Sequence, residues 1–382
     1  MSIDRRAFLC AASALLAVPR VAFAQADTER RFVFVIQRGA ADGLHIVIPY
    51  AEPAYQALRG ALAVDPATAL KLDGTFALHP ALGELHKLHA AEQAVFFHAV
   101  ASPYRDRSHF DGQNVLETGG DAPYQLKDGW LNRLLGMLPR SGKAAIAFAP
   151  TVPLAMRGAI EVGSYAPSNL PQAGDDLLLR VEQMYGSDPQ LHALWSAARE
   201  ARGMAGGMSA GGNRQDAAAL GRMAAGFLAR ADGPRIAMIE TNGWDTHSGQ
   251  EGRLRAQLRG LDGLVGALRD GLGAAWENTV VVVATEFGRT VRANGTGGTD
   301  HGTGAAAMLL GGPVRGGRVV ADWPGLSTGD LLEARDLRPT LSLDSLIAKV
   351  AAETFRLDPD HAARVLFPGA SPRKSTGALL RA

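Results

Sequence analysis

Short apolar runs, almost unbroken by polar residues, set the architecture this chain can adopt. Residues 32–36 read FVFVI, 94–100 AVFFHAV, 144–148 AAIAF, 236–240 IAMIE, 280–284 VVVVA and 305–310 AAAMLL. Runs of this length without in-out alternation predict strands buried on both faces. The first opens into QRGAADG, a tight turn, and is expected to be the central strand. Between the runs at 236–240 and 280–284, Leu254, Leu258, Leu261, Val265 and Leu268 recur at three- and four-residue spacing. That stripe predicts an amphipathic crossover helix. A strand-helix-strand order requires a parallel sheet covered on both sides. The fold class expected is therefore α/β, a mostly parallel central sheet sandwiched by helices. A loop or helical insertion is expected around residues 150–230, where GMAGGMSAGGNR at 203–214 reads as a flexible loop or lid. The tail SPRKSTGALLRA is expected to be loosely held.

Composition narrows the class. With 382 residues, 47% hydrophobic and 20% charged, the chain can bury a large core and is not disordered by default. Its first 24 residues combine Arg5-Arg6, Phe8 and Leu9 with an alanine- and leucine-rich run and Ala22-Phe23-Ala24. This reads as a twin-arginine signal peptide cut near Ala24, leaving a single mature domain over 25–382 that is periplasmic or secreted. The apolar run, interrupted by Pro19 and Arg20, falls short of the ~20 residues a bilayer requires, so no stable membrane span is expected. Cys10, the only cysteine, precedes that run instead of ending it, which argues against lipidation. The mature chain would then hold neither disulfides nor thiolate ligands. Processing would take the formal net charge from +1 to −1 through loss of Arg5, Arg6, Arg20 and Asp4. So neutral a balance does not suit nucleic acid as a partner.

Candidate chemistry gathers where the apolar runs end, the rim at which α/β enzymes place their sites. After the first run stands Asp42, which can ligate a metal or simply make an Asp-Gly turn. In YRDRSHFDGQNVLETG, Ser108 precedes a helical segment. It can cap that helix, or present its hydroxyl where the helix dipole would hold an anion. Arg105 and Arg107 beside it can clamp such an anion or stay solvated. NGWDTH carries Asp245 and His247; TEFGRT and the glycine-rich GTDHGTG carry Glu286, Arg289, Asp300 and His301. Carboxylate with imidazole suits a transition-metal ion. His98, inside its own strand, is expected to pack beneath the site. The glycines around 295–304 lack the strand-to-helix context of a dinucleotide fingerprint.

Together RGAADGL, RSHFDGQNVLETG, NGWDTH, TEFGRT and GTDHGTG resemble the exported bacterial family catalogued as domain of unknown function 1501, over residues 30–345. That family is similar in fold to the alkaline phosphatase and sulfatase superfamily. The resemblance implies two metal ions flanking a nucleophile, with Asp42 as the first aspartate, Ser108 as nucleophile, Asp245 and His247 as an earlier pair and His301 as the last histidine. Glu286 stands where the superfamily has an aspartate followed by histidine, but Phe287 follows here. Asp245 and His247 are also two apart instead of four. The implied ligand set is Asp42, Asp245, His247, Glu286, Asp300 and His301 around zinc, manganese or calcium, with Ser108, Arg107 and Arg289 catalytic. The implied activity is metal-dependent hydrolysis of phosphate or sulfate esters, on a small anionic ester or a polysaccharide-linked substrate. The incomplete ligand set leaves an alternative, an exported binding or assembly protein that keeps the fold and acts with a cell-envelope protein partner.

Overall fold

Alternate side chains of the apolar runs face opposite helical layers across one sheet. The computed structural model describes residues 29–139, 145–166, 216–369 and 377–381, with scattered positions between 181 and 196. The signal peptide expected at 1–24, the glycine-rich loop at 203–214 and much of the insertion lie outside the described residues, as does most of the C-terminal tail. In chain order the elements are β1 (Arg31–Gln37), α1 (Gly43–Ile46), β2 (Val47–Ile48), α2 (Tyr55–Arg59), β3 (Leu70–Lys71), β4 (Ala77–Leu78), α3 (Gly83–Ala90) and β5 (Ala94–Ala101). Next come α4 (His109–Thr118), α5 (Trp130–Met137), β6 (Ala145–Phe148), β7 (Gly163–Ser164), α6 (Ala217–Leu228), β8 (Ile236–Thr241) and α7 (Gln250–Leu272). The order closes with β9 (Thr279–Ala284), β10 (Ala305–Leu310), β11 (Arg318–Val320), β12 (Leu341–Ser342), α8 (Leu343–Phe355) and α9 (Pro359–Leu366).

The main sheet runs β11-β5-β10-β9-β1-β8-β6-β7, with β12 added to β5, so β1 sits centrally as its apolar run implies. Strand β10 alone runs antiparallel, against β5 and β9. The other pairs of the main sheet are parallel, Phe34 of β1 lying between Met238 of β8 and Val282 of β9. The carboxyl ends of β1, β5, β8 and β9 therefore share one rim with the amino end of β10. Strands β2, β3 and β4 form a separate small sheet.

One face of the main sheet buries Val33, Val35, Ile239, Val281 and Val283 beneath α3, α6 and α7. The opposite face buries Phe32, Phe34, Met238 and Val282 against α5 and α8, where Trp130 meets the ring of Phe34 edge-on at 5.2 Å. The stripe of α7 behaves as its spacing requires, Leu254, Leu258, Leu261, Val265 and Leu268 all being buried. Each such side chain contributes about 1.5–3 kcal/mol by leaving water.

One buried charge position works against the fold at high pH. Asp344, in the first turn of α8, is buried and its Oδ1 has no hydrogen-bond partner. Burial first, and then the nearby charge of Asp121, push its pKa up to about 7, outweighing Arg105. The folded chain thus keeps a proton that the unfolded chain releases near pH 4. Stability is complete below that point and falls as pH rises toward 7. Asp344→Asn is expected to flatten this dependence and to stabilise the chain at pH 8 by up to roughly 4 kcal/mol. Urea denaturation at pH 5 and pH 8 measures it; a pH slope that survives the substitution contradicts the assignment.

Candidate metal centre

The loops at the rim are held together by backbone contacts that admit little change. Gly39, just past β1, takes φ +118°, and a Cβ there would lie 2.5 Å from the Asp245 amide nitrogen. The loops after β1 and β8 are therefore in contact. After β9, residues 288–290 run antiparallel to 300–303: Gly288 N–H donates to Thr303 at 3.0 Å and Gly302 N–H to Gly288 at 2.8 Å. A Cβ on Gly288 would sit 1.9 Å from the Gly304 carbonyl oxygen, so glycine alone fits. This pairing sets Arg289 beside His301. From the other side, Arg107 at φ +61° turns the chain into α4, whose first residue is His109.

Three imidazoles converge on Asp245. His247 Nε2 lies 3.0 Å from Asp245 Oδ1, His301 Nε2 lies 3.3 Å from the same oxygen, and His109 Nε2 lies 3.4 Å from Oδ2. The Nε2 atoms of His247 and His301 are 2.9 Å apart. Each ring is fixed from behind through Nδ1, by Glu286 Oε1 at 2.9 Å for His109, by Asp300 Oδ1 at 3.2 Å for His247 and by the Arg107 carbonyl at 2.9 Å for His301. All three are acceptors, so each Nδ1 carries a ring proton and donates it, and in a ring that bears no second proton the Nε2 lone pair faces the carboxylate. Lone pairs facing one another at such distances repel unless a proton or a cation lies between them. His109 Nε2 is buried and has no hydrogen-bond partner. Ligand atoms of His109, Asp245 and His301 all lie within 4.8 Å of one another, a group that can hold a metal ion. His247 Nε2 stands beside this group, against Asp245 and His301, and imidazole nitrogens with a carboxylate are the donors that suit a zinc-type ion.

The surrounding charges act on these groups in different directions. Burial opposes ionisation of Asp245, but the hydrogen bond and charge of Arg289 outweigh it and hold the carboxyl below its usual range. Desolvation, and then the charge of His109, lower the pKa of His301 and favour its neutral ring. The hydrogen bond from His109 to Glu286 raises the His109 pKa in spite of burial. Glu286 is itself fully buried, and burial would raise its pKa; the donors His109, Gln113 and Gly39 reverse that and keep it ionised.

The expected metal ligands divide into three groups. Asp245, His247 and His301 come together directly. Glu286 and Asp300 stand behind them and orient imidazoles: Glu286 Oε1 accepts from Gly39 at 2.8 Å and Gln113 at 3.0 Å as well as from His109, and Asp300 also accepts from Asn294 at 3.1 Å. Asp42 is not brought to the cluster. Its Oδ1 caps α1 by accepting from Leu44 at 3.2 Å, while Oδ2 is taken by the buried guanidinium of Arg59 and by Gln250 at 2.6 Å. A carboxylate satisfied in this way has no oxygen left for an ion on the rim. It joins the centre only through a relay in which Thr299 donates to Gln250 at 2.6 Å and Arg289 to Thr299 at 3.1 Å.

The arginines expected to clamp an ester are committed elsewhere. Arg289 donates to Asp245 Oδ1 at 2.7 Å, which makes it a positioning residue. Arg107 pairs with Asp336 at 2.9 Å and Glu333 at 2.6 Å. Arg105 Nη1 donates to the Tyr104 carbonyl at 2.7 Å. Ser108 occupies the N-cap of α4 without a side-chain capping bond, so its hydroxyl is not spent on the helix. It stands between the carbonyl that holds His301 and the ring of His109. His98 lies beneath the rim, its ring nitrogens bonded to Val47 at 2.9 Å and Ala99 at 2.8 Å.

His109 is the member of the cluster that sequence reasoning passes over. Phe287, where the wider superfamily has an imidazole, stacks on the His109 ring at 5.1 Å and supports it. An imidazole from α4 thus stands beside Glu286. A signal did exist: His109 and Gln113 lie four residues apart, on one face of the helix, and both reach Glu286. Glu286→Gln is expected to weaken zinc binding by roughly 10–100-fold while the ligands stay in place. Competition with a chelating dye on folded protein measures this, and an unchanged affinity contradicts the orienting role.

Fold and cluster together define an α/β protein whose strand-end rim carries a His/Asp group able to hold a metal ion. The chain belongs to the family described as Protein of unknown function (DUF1501), which it matches over residues 29–366. No curated protein matches its sequence. Similar solved structures include Ps i-CgsB in complex with k-i-k-neocarrahexaose, at 12% identity and TM-score 0.44 over 88% of this chain and 74% of that one. The C-terminal periplasmic domain of EcEptC from Escherichia coli, in complex with Zn, is similar at 11% identity and TM-score 0.41 over 93% of each chain. The PsFucS1 sulfatase from Pseudoalteromonas sp. is similar at 13% identity and TM-score 0.36 over 88% of this chain and 70% of that one. No helix among the described residues is long and apolar enough to cross a membrane.

Proposed function

We propose that the chain is an exported metal-dependent hydrolase of phosphate or sulfate esters, carried out of the cytoplasm by its twin-arginine leader. The observation that supports this most directly is the convergence of three Nδ1-anchored imidazoles on the Asp245 carboxylate. His109, His247, His301 and Asp245 would hold the ion, and their nitrogen-rich set favours zinc or manganese over calcium, which takes oxygen ligands. A divalent cation at this position supplies electrostatic stabilisation of the negative charge on the ester oxygens. Glu286, Asp300 and the Arg107 carbonyl keep the three rings aimed, and Arg289 keeps Asp245 ionised. Ser108, uncommitted at the start of α4, offers the oxygen that displaces the leaving group from phosphorus or sulfur. The group so transferred would then pass to water. A small anionic ester, free or linked to a polysaccharide, is the substrate this chemistry suits.

Turnover of 4-nitrophenyl phosphate and 4-nitrophenyl sulfate by the zinc-loaded mature chain tests the reading. Ser108→Ala is expected to lower kcat by roughly a thousandfold or more while zinc stays bound. Turnover that survives in Ser108→Ala rejects the nucleophile. A second reading, a non-catalytic binding or assembly protein of the cell envelope, is favoured by the commitment of Arg107 and Arg289 to protein carboxylates. It predicts bound zinc with no turnover of either ester in the unsubstituted chain.

A further inference from the structure

A cavity of about 520 Å³ shares none of its lining residues with the histidine centre. His45, in α1, is 1% exposed and lines it, and neither of its ring nitrogens has a hydrogen-bond partner. An imidazole buried without partners is costly, on the order of 1–3 kcal/mol, so the cavity calls for polar contents. Desolvation holds His45 neutral, with its pKa lowered to about 3 in spite of Asp42. A neutral ring offers one donor and one acceptor, the complement of a hydroxyl group.

Among the other polar groups on the walls, Thr68, His79, Arg255 and Arg259 can donate, while Glu251 and Asp65 are carboxylates, Glu251 paired with Arg255 and Asp65 accepting the Ala67 N–H at 2.9 Å. His79 stacks on His45 at 5.2 Å, and its Nδ1 accepts the Ala81 N–H at 3.0 Å. The proton of the neutral ring must then sit on Nε2, which makes that nitrogen a donor and disqualifies it as a metal ligand. From α7, Arg255 and Arg259 reach the same cavity one turn apart. Arg255 is paired with Glu251, whereas Arg259 forms no hydrogen bond or ion pair among the described residues. Leu62, Val64 and Pro80 supply an apolar wall. A guanidinium that pairs with neither carboxylate, an imidazole N–H and an apolar wall suit an anion whose organic body carries hydroxyls for the carboxylate of Asp65.

We propose that this cavity binds a small hydroxylated organic oxyanion, its phosphate or sulfate group held by Arg259 and His79 Nε2–H and a hydroxyl held by His45. The assignment does not rest on hydrolysis at the histidine centre. Calorimetric titration of the full mature chain carrying His301→Ala, in which that centre is broken, isolates the cavity. Glucose 6-phosphate or glucose 6-sulfate is expected to bind and glucose not to bind. Adding Arg259→Gln, at an exposed position that leaves the core untouched, is expected to weaken the bound anion by about tenfold or more. His79→Phe, which keeps the stacking and removes the donor, is expected to weaken it as well. Absence of binding by both anions at millimolar concentration, or binding indifferent to Arg259→Gln, overturns the proposal.

Discussion

His301→Ala is expected to lower zinc affinity by more than about a hundredfold, because it deletes a ligand and not merely a group that orients one. Its Nε2 stands 2.9 Å from His247 Nε2 and 3.3 Å from Asp245 Oδ1, so its loss opens the middle of the donor set. His109→Ala is expected to act in the same direction, through the buried imidazole nitrogen at the centre that makes no hydrogen bond and faces Asp245 Oδ2 at 3.4 Å. Asp245→Ala is a less clean probe, since it also strips the buried Arg289 of its carboxylate. Competition against a chelator of known affinity measures the loss in each. Zinc binding unchanged by both histidine substitutions contradicts the centre as described.

Arg59→Met is expected to destabilise the chain by about 3–5 kcal/mol, the cost of leaving a buried carboxylate without its counter-ion. Both partners are sealed from water, Arg59 at 0% and Asp42 at 1% exposure. Arg59 also donates to the carbonyls of Thr290 at 3.2 Å and Val291 at 3.3 Å, tying α2 to the loop after β9. The double substitution Arg59→Met with Asp42→Asn is expected to recover much of the loss, because no uncompensated charge is then buried. Urea denaturation of the single and double variants decides it. A single variant as stable as the unsubstituted chain contradicts the structural role given to Asp42.

The strands were legible because a strand buried on both faces writes itself as an unbroken apolar run: FVFVI and VVVVA pair directly in the sheet. Helix α7 was legible because its leucines repeat at the helical period and pack on the sheet. Part of the centre was legible for a local reason, since Asp245, His247 and His301 follow or precede core strands that deliver them to one rim. The rest depends on partners distant in sequence. Nothing near Asp42 announces that Arg59 and Gln250 will occupy its oxygens, and so it reads equally as a turn or as a ligand. Arg107 and Arg289 read as anion clamps because Asp336, Glu333 and Asp245 meet them only after folding. His109 was hidden beside a serine and two arginines that carried the more obvious anion chemistry.

The central claim is that His109, His247, His301 and Asp245 form one coordination sphere. X-ray absorption at the zinc edge of residues 25–382 loaded with zinc tests it most directly. The expected spectrum shows imidazole scattering from three rings and one oxygen donor, with first-sphere distances of roughly 2.0–2.2 Å. A sphere of oxygens alone, or one without imidazole scattering, contradicts it.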